Sequence, residues 1–338
     1  MLPRLSVLTL VAFAACTLQK VPSFQSAAVD DHIAHMSPAD LRVPERGTPP
    51  IRSQGAPGIP ASNNGAAARL QASPRHGEWV KIAWEPGSRD SLMAWVVYPM
   101  SSAKAPVVVV VHEIFGLSAW VRGVADQLAA DGFIAIAPDF LSRVRGGATS
   151  EELPAQQATQ LIRDVDTAER NRAIVAAANH AMMLPAAEQR YAVIGYCWGG
   201  STTWAHAVHG GVRGFSGGVA YYGNTYLSGG RPATEGMPAV PASPDADSLA
   251  RIRVPVMLLN GSRDARIGAA MPAIDSIMKA RGKDYVGVNY EGAIHGFLRA
   301  QDDPATGRNG GTEAANLAAA KDAWPKTVAF LKKNLGVR

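Results

Sequence analysis

Residues 191–200 read Tyr-Ala-Val-Ile-Gly-Tyr-Cys-Trp-Gly-Gly. The apolar run suits a buried strand, and the segment from Gly200 onward suits a helix. Between them, Gly195-Tyr196-Cys197-Trp198-Gly199 has the form of a nucleophile elbow with cysteine where serine is usual. The glycines have a steric purpose. A strand-to-helix turn this tight strains the backbone of its central residue, and flanking side chains would collide. The turn sets the Cys197 sulfur at the start of the next helix, where N–H groups and the helix dipole favour a thiolate and an oxyanion. A buried cysteine is more often a small hydrophobe, so the reading depends on what accompanies it.

A cysteine nucleophile needs a base, and the base needs an orienting acid. On an elbow of this kind, the acid and then the histidine follow the nucleophile along the chain. The histidines after Cys197 are His206, His209 and His295. His206 and His209 fall on or just past the helix after the elbow and would point the wrong way along a sheet. His295 follows the strand-like run Val286–Tyr290, and loops after strand C-termini are where open α/β sheets place their sites. The acid is expected at the end of the preceding strand, where Val256-Met257-Leu258-Leu259-Asn260-Gly261-Ser262-Arg263-Asp264 supplies Asp264. Asp275 is a rival, but it sits within a predicted helix. Taken singly, Asp264 reads as a helix cap and His295 as an ordinary loop histidine. Their order and their positions at strand ends join them to Cys197.

These residues need a scaffold, and the chain predicts one. Trp79–Trp84 and Leu92–Tyr98 read as a hairpin around Glu85-Pro86-Gly87-Ser88. Val107–Val111 is five valines in a row, a strand buried on both faces. It ends in His112-Glu113-Ile114-Phe115-Gly116. Ser118 can cap a helix with Val121, Val124 and Leu128 on one face, closed by Gly132. Phe133–Ala137 is the next strand. A long helical stretch from about Glu151 to Leu184, broken once, leads to the elbow. Strands follow near Gly218–Tyr222, Val254–Leu259 and Tyr285–Tyr290, with helices around Ile274–Ala280 and Ala314–Leu335. Strands alternating with helices predict a mainly parallel sheet covered on both faces. Asn224–Leu249 breaks the rhythm with prolines and glycines, and a loop this long is expected to border the active site.

With these motifs in place, the stretch from about Gly77 to Leu335 resembles the dienelactone hydrolase family of α/β-hydrolases. The resemblance rests on His112-Glu113-Ile114-Phe115-Gly116, Gly195-Tyr196-Cys197-Trp198-Gly199-Gly200, Ala220-Tyr221-Tyr222-Gly223, Gly261-Ser262-Arg263-Asp264 and His295-Gly296-Phe297-Leu298-Arg299. It implies an α/β-hydrolase fold and a Cys197, Asp264, His295 triad that cleaves a small ester or lactone through a thioester. It implies that Glu113 contacts the resting thiol and helps activate it when substrate binds. The backbone N–H groups of Ile114 and Trp198 would form the oxyanion hole. Arg299 would hold the carboxylate of an anionic lactone, and Tyr222 would line the pocket. No metal or organic cofactor is implied, and His112-Glu113 lacks the second histidine of a zinc-binding H-E-x-x-H. The sequence departs from the family at two points. Members that cleave dienelactones use a second arginine at the start of the long helix before the elbow. None lies near Leu153–Gln157, and Arg143 and Arg145 precede that helix. Trp198 is also bulkier than the residue often found there. Two other readings compete: a general carboxylesterase for small acyl esters, and a catalytically silent binding protein on the same fold.

The apolar share, 47% of 338 residues, supports a large core. The net charge of +5 comes without a dense Lys/Arg cluster, which argues against nucleic acid as a partner. Residues 1–27 read as an export signal: Arg4 precedes an apolar run from Leu5 to Ala15 that is short for a membrane span. This predicts a secreted or periplasmic protein. Phe13-Ala14-Ala15-Cys16 resembles a lipobox, so a lipid anchor on Cys16 stays open beside a soluble form. Residues 28–75, rich in Pro, Gly and Ala, read as a flexible tether, and 76–338 as the hydrolase domain. Cys16 and Cys197 are the two cysteines. A disulfide framework is therefore excluded for the domain, and a dithiol redox cycle lacks its second thiol.

Overall fold

The computed structural model describes residues 56–149, 153–228, 237, 243–302 and 310–337. The export signal, the lipobox with Cys16 and most of the interior of Asn224–Leu249 lie outside the described residues.

The predicted hairpin forms as β1 (Gly77–Ala83) and β2 (Ser91–Val97). After it come β3 (Ala105–Val111), α2 (Ala119–Ala130), β4 (Ile134–Pro138) and a single turn, α3 (Ser142–Arg145). The short helix before the hairpin, Ala66–Gln71, is α1. The long helical stretch is broken, as expected. α4 (Ala155–Leu161) runs into a 3-10 turn, and α5 (Thr167–Met182) restarts behind Asp166, whose carboxylate caps the Glu169 N–H at 2.7 Å. Then come β5 (Ala187–Tyr196), α6 (Trp198–His209), β6 (Phe215–Tyr221), a two-residue pair β7 (Leu227–Ser228) and β8 (Ser243–Pro244), and α7 (Ala246–Ala250). The chain closes with β9 (Val256–Gly261), α8 (Ala265–Ala280), β10 (Tyr285–Tyr290) and α9 (Glu313–Leu335).

The main sheet has eight strands in the order β1-β2-β4-β3-β5-β6-β9-β10. β2 is antiparallel to β1 and β4, and the pairs from β4 to β10 are parallel. Every residue of β3, β4 and β9 is buried, which requires helices on both faces and explains the unbroken apolar runs. This is the α/β-hydrolase architecture. Register decides where the site lies. Val111 pairs with Gly195, Tyr196 with Tyr221, Tyr221 with Leu259, and Gly261 with Tyr290. The C-terminal ends of five strands are thus level, and the loops carrying Glu113, Cys197, Tyr222, Asp264 and His295 leave from one edge.

The tether expected over 28–75 is not what the structure has at its C-terminal end. Residues 56–75 fold onto the domain: Ile59, Ala61, Ser62 and Ala66 are buried, and Arg75 pairs with Asp126 of α2 at 2.6 Å. The apolar positions here are few and irregularly spaced, so no periodicity marks them. They bury against an existing surface and need none of their own.

Candidate active site

Cys197 joins β5 to α6 with φ +57°, and its N–H bonds to the Tyr221 carbonyl at 3.0 Å. The glycine requirement is visible in the distances. A Cβ on Gly195 would lie 2.0 Å from the Gly199 carbonyl oxygen, and one on Gly199 would lie 2.3 Å from that of Val111. No side chain fits either place. The second contact also presses the elbow against the end of β3 and the start of the loop after it, at Val111 and His112. Trp198 opens α6, where N–H groups have no acceptor within the helix.

Asp264 sits where β9 turns into α8. One oxygen accepts from the Ile267 N–H at 3.5 Å and the other meets His295 Nδ1 at 2.6 Å. Asp264 thus caps α8 with one oxygen and holds His295 with the other. Its loop is stitched to the histidine loop through Ser262 N–H to the Tyr290 carbonyl and Arg263 N–H to the Ala293 carbonyl. Asn316 of α9 steadies the histidine from behind, accepting from the Ile294 N–H at 3.1 Å. The rival Asp275 lies within α8, beside Tyr285. His206 and His209 lie on α6, and His206 is held by Asn171 and Tyr191.

Cys197 lies close enough to His295 to act on it electrostatically. Burial is the largest single influence on the imidazole and disfavours its charge. The Cys197 sulfur and the Asp264 carboxylate, the latter hydrogen-bonded to the ring, together outweigh it and push the pKa up to about 10. Burial likewise opposes the Asp264 charge, but His295 and then Arg266 hold that carboxyl below its ordinary range.

Glu113 and Arg299 meet as an ion pair, Nε to Oε2 at 2.9 Å, both largely buried. Tyr222 is fully buried, and it and Cys197 are the non-glycine residues with positive φ among those described, at +39° and +57°. Such backbone is sparsely populated and concentrates at functional sites. Its ring packs 5.0 Å from that of His295, and its hydroxyl has no hydrogen-bond partner among the described residues. Burial first, then the nearby Glu113 charge, hold the phenol well above its usual range, so it stays a proton donor. Arg143 and Arg145, which precede the helix where the family's second arginine would lie, are committed elsewhere. Arg143 pairs with Asp90 and Glu169 and lies over the Trp84 ring, and Arg145 donates to the Ala148 carbonyl.

Two residues with no role assigned from the sequence contribute to the site. His112 is wholly buried, with Nδ1 2.6 Å from the Glu113 carbonyl while Nε2 accepts from the Phe140 N–H at 3.1 Å. The tautomer with the proton on Nδ1 satisfies both, and the bond fixes the turn carrying Glu113 and Ile114. Arg170 of α5 lies over the Trp198 ring at 4.7 Å, and His112 stacks on the same ring at 5.9 Å. The bulk of Trp198 is therefore taken up in a buried stack. An arginine on a helix reads as solvent-facing in a sequence, which is why Arg170 gave no signal. Among the described residues, no three His, Cys, Asp or Glu side chains gather as metal ligands would. Of the Asn224–Leu249 loop, the first residues are described. Asn224 donates its N–H to Ser201 Oγ and accepts from Arg266, each at 2.8 Å.

Residues 92–335 match the model of the dienelactone hydrolase family. A "Putative carboxymethylenebutenolidase" of Methylorubrum extorquens is 30% identical over 220 residues, covering 64% of this chain and 71% of that protein. A "Probable 2-oxo-3-(5-oxofuran-2-ylidene)propanoate lactonase" of Bradyrhizobium is 27% identical over 265 residues, covering 76% and 94%. Among solved structures, a putative dienelactone hydrolase of Klebsiella pneumoniae superposes with a TM-score of 0.58 at 23% identity, over 76% of this chain and 99% of that one. That last likeness bears on the fold.

Proposed function

This chain belongs to the dienelactone hydrolase family and is a hydrolase, and on that premise we propose that Cys197 cleaves a small ester or lactone by covalent catalysis. The observation that carries the reading is the His295–Asp264 hydrogen bond at 2.6 Å, with Cys197 on a strained elbow acting electrostatically on the same imidazole. The thiolate attacks the carbonyl carbon. The Ile114 and Trp198 N–H groups receive the oxyanion, each contributing about 3 kcal/mol. His295 gives its proton to the departing alkoxide, and the acyl group stays on sulfur as a thioester. The same imidazole then takes a proton from water, whose oxygen attacks the thioester, and the acid leaves.

The Glu113–Arg299 ion pair supports an anionic substrate. A carboxylate arriving at Arg299 competes with Glu113 and releases it from the guanidinium. The Tyr222 hydroxyl donates into the same space. The Bradyrhizobium relative is named for a lactone that carries a carboxylate, which fits this arrangement. A second reading, general carboxylesterase, draws on the commitment of Arg143 and Arg145 to other partners, which leaves Arg299 without a second cation from that quarter.

Hydrolysis of a carboxylated dienelactone and of a 4-nitrophenyl acyl ester, each beside Cys197→Ala, tests both readings. Lactone cleavage lost in the variant supports the first. Ester cleavage alone supports the second. Full activity in the variant ends the cysteine mechanism. Export of residues 1–27, with or without a lipid on Cys16, is part of the same proposal. Mass spectrometry of the mature N-terminus in cell fractions decides it.

A further inference from the structure

The segment before β1 lies outside the stretch that matches the family model, yet it touches the turn that carries Arg299. Asn63 donates its N–H to the Arg299 carbonyl at 2.9 Å. The Gln301 side chain, 1% exposed, donates to the Pro60 carbonyl at 2.9 Å and to the Leu298 carbonyl at 3.0 Å. The other side of the segment is clamped to α2. Trp120 Nε1 donates to the Ala61 carbonyl at 3.1 Å, and Arg69 joins the Ile59 carbonyl to Gln127. Ser62 is fully buried between these anchors. Residues 59–63 thus form a strap that ties the Arg299 turn to a rigid helix.

The turn needs such support. Residues 296–301 form no regular helix and hang on bonds from Arg299 and Ala300 N–H to the Gly296 carbonyl. Asn316 holds Ala300 from the opposite side at 3.2 Å. When the guanidinium exchanges Glu113 for a substrate carboxylate, the backbone beneath it must stay in place. Otherwise the new ion pair forms at the wrong distance from the Cys197 sulfur, and misplacement by about 1 Å can cost roughly 100-fold in rate.

We propose that the strap, acting through Gln301 and Asn63, is a positioning element that sets Arg299 for a carboxylate-bearing substrate. The proposal rests on the reading of Arg299 as that carboxylate's partner. It is tested on the full chain with Gln301→Met, which keeps the side-chain length and removes the donors, beside Arg299→Gln. The readouts are kcat and KM for the carboxylated dienelactone and for uncharged 4-nitrophenyl acetate. Gln301→Met is expected to raise the lactone KM about fivefold to tenfold and leave both constants for the ester within about twofold. Equal losses on both substrates would mean a merely structural contact and overturn the proposal, as would no change on either. If Arg299→Gln abolishes the lactone preference and Gln301→Met keeps it, the strap fails and the recognition reading stands. If Arg299→Gln itself keeps the preference, the recognition reading falls and takes this inference with it. Should Gln301→Met fail to fold, Trp120→Phe loosens the strap from its α2 side. It is expected to shift the lactone KM in the same direction, and an unchanged KM overturns the proposal.

Discussion

His295, largely buried, and His206, fully buried, both have Nδ1 2.6 Å from a side-chain oxygen, yet the chain drives them to opposite protonation states. At His295 the oxygen belongs to Asp264, and the sulfur of Cys197 lies on the other side, so the ring is held as a cation up to about pH 10. At His206 the oxygen belongs to the neutral amide of Asn171, and Nε2 meets the neutral Tyr191 hydroxyl at 2.9 Å. Burial there acts unopposed, the nearby His209 adds to it, and the pKa falls to about 3. Burial raises the stakes for a histidine without deciding its use. The charge of its partner decides.

Removing the charge at the site should have the largest effect. Asp264→Asn keeps the shape but leaves His295 free to adopt the wrong tautomer, and kcat should fall about 10³- to 10⁴-fold. A steady-state assay on any hydrolysed ester reads it. The converse change brings a carboxylate to the quiet histidine. Asn171→Asp should raise the His206 pKa by about 1 to 3 units, followed by NMR titration of the ring, with turnover unchanged. A His206 signal that stays near pH 3 would break the comparison. His206→Gln should cost about 1 to 2 kcal/mol in urea unfolding while the KM values hold, because it loses hydrogen bonds and the edge contact to Phe215 at 4.7 Å.

The smallest effect expected is on stability across pH, and the two histidines act in separate windows. His206 has a folded pKa below its unfolded value. The unfolded state binds the extra proton between pH 6.5 and about 3, so stability falls as the pH drops through that range. His295 has a folded pKa above its unfolded value. Its contribution is complete below pH 6.5 and is lost as the pH rises towards about 10. In Cys197→Ala one of the two groups that raise the His295 pKa is gone, so the alkaline loss should be smaller and end at lower pH. Thermal melts of both proteins across the range measure it.

Local pattern carried much of this in the sequence. The valine run announced β3, Gly195 and Gly199 announced the elbow, and the order Cys197, Asp264, His295 announced which strand ends matter. Other features left no pattern. The packing of residues 56–75 follows from a surface made by α2 and the turn at 298–301, over two hundred residues further along. His112 and Arg170 look unexceptional until Trp198 is seen between them.

The division follows from how far each constraint reaches. Glycine at the elbow, alternation of apolar runs and the cap at Asp264 are demands of the local backbone, and neighbours in sequence answer them. By itself the sequence therefore determined the elbow, the strand ends and the candidate residues. Charge partners are chosen by distance in space, among long side chains that could reach several others. That Arg299 meets Glu113, that Arg143 is drawn off to Asp90 and Glu169, and that His295 finds a carboxylate where His206 finds an amide were decided only by the tertiary structure.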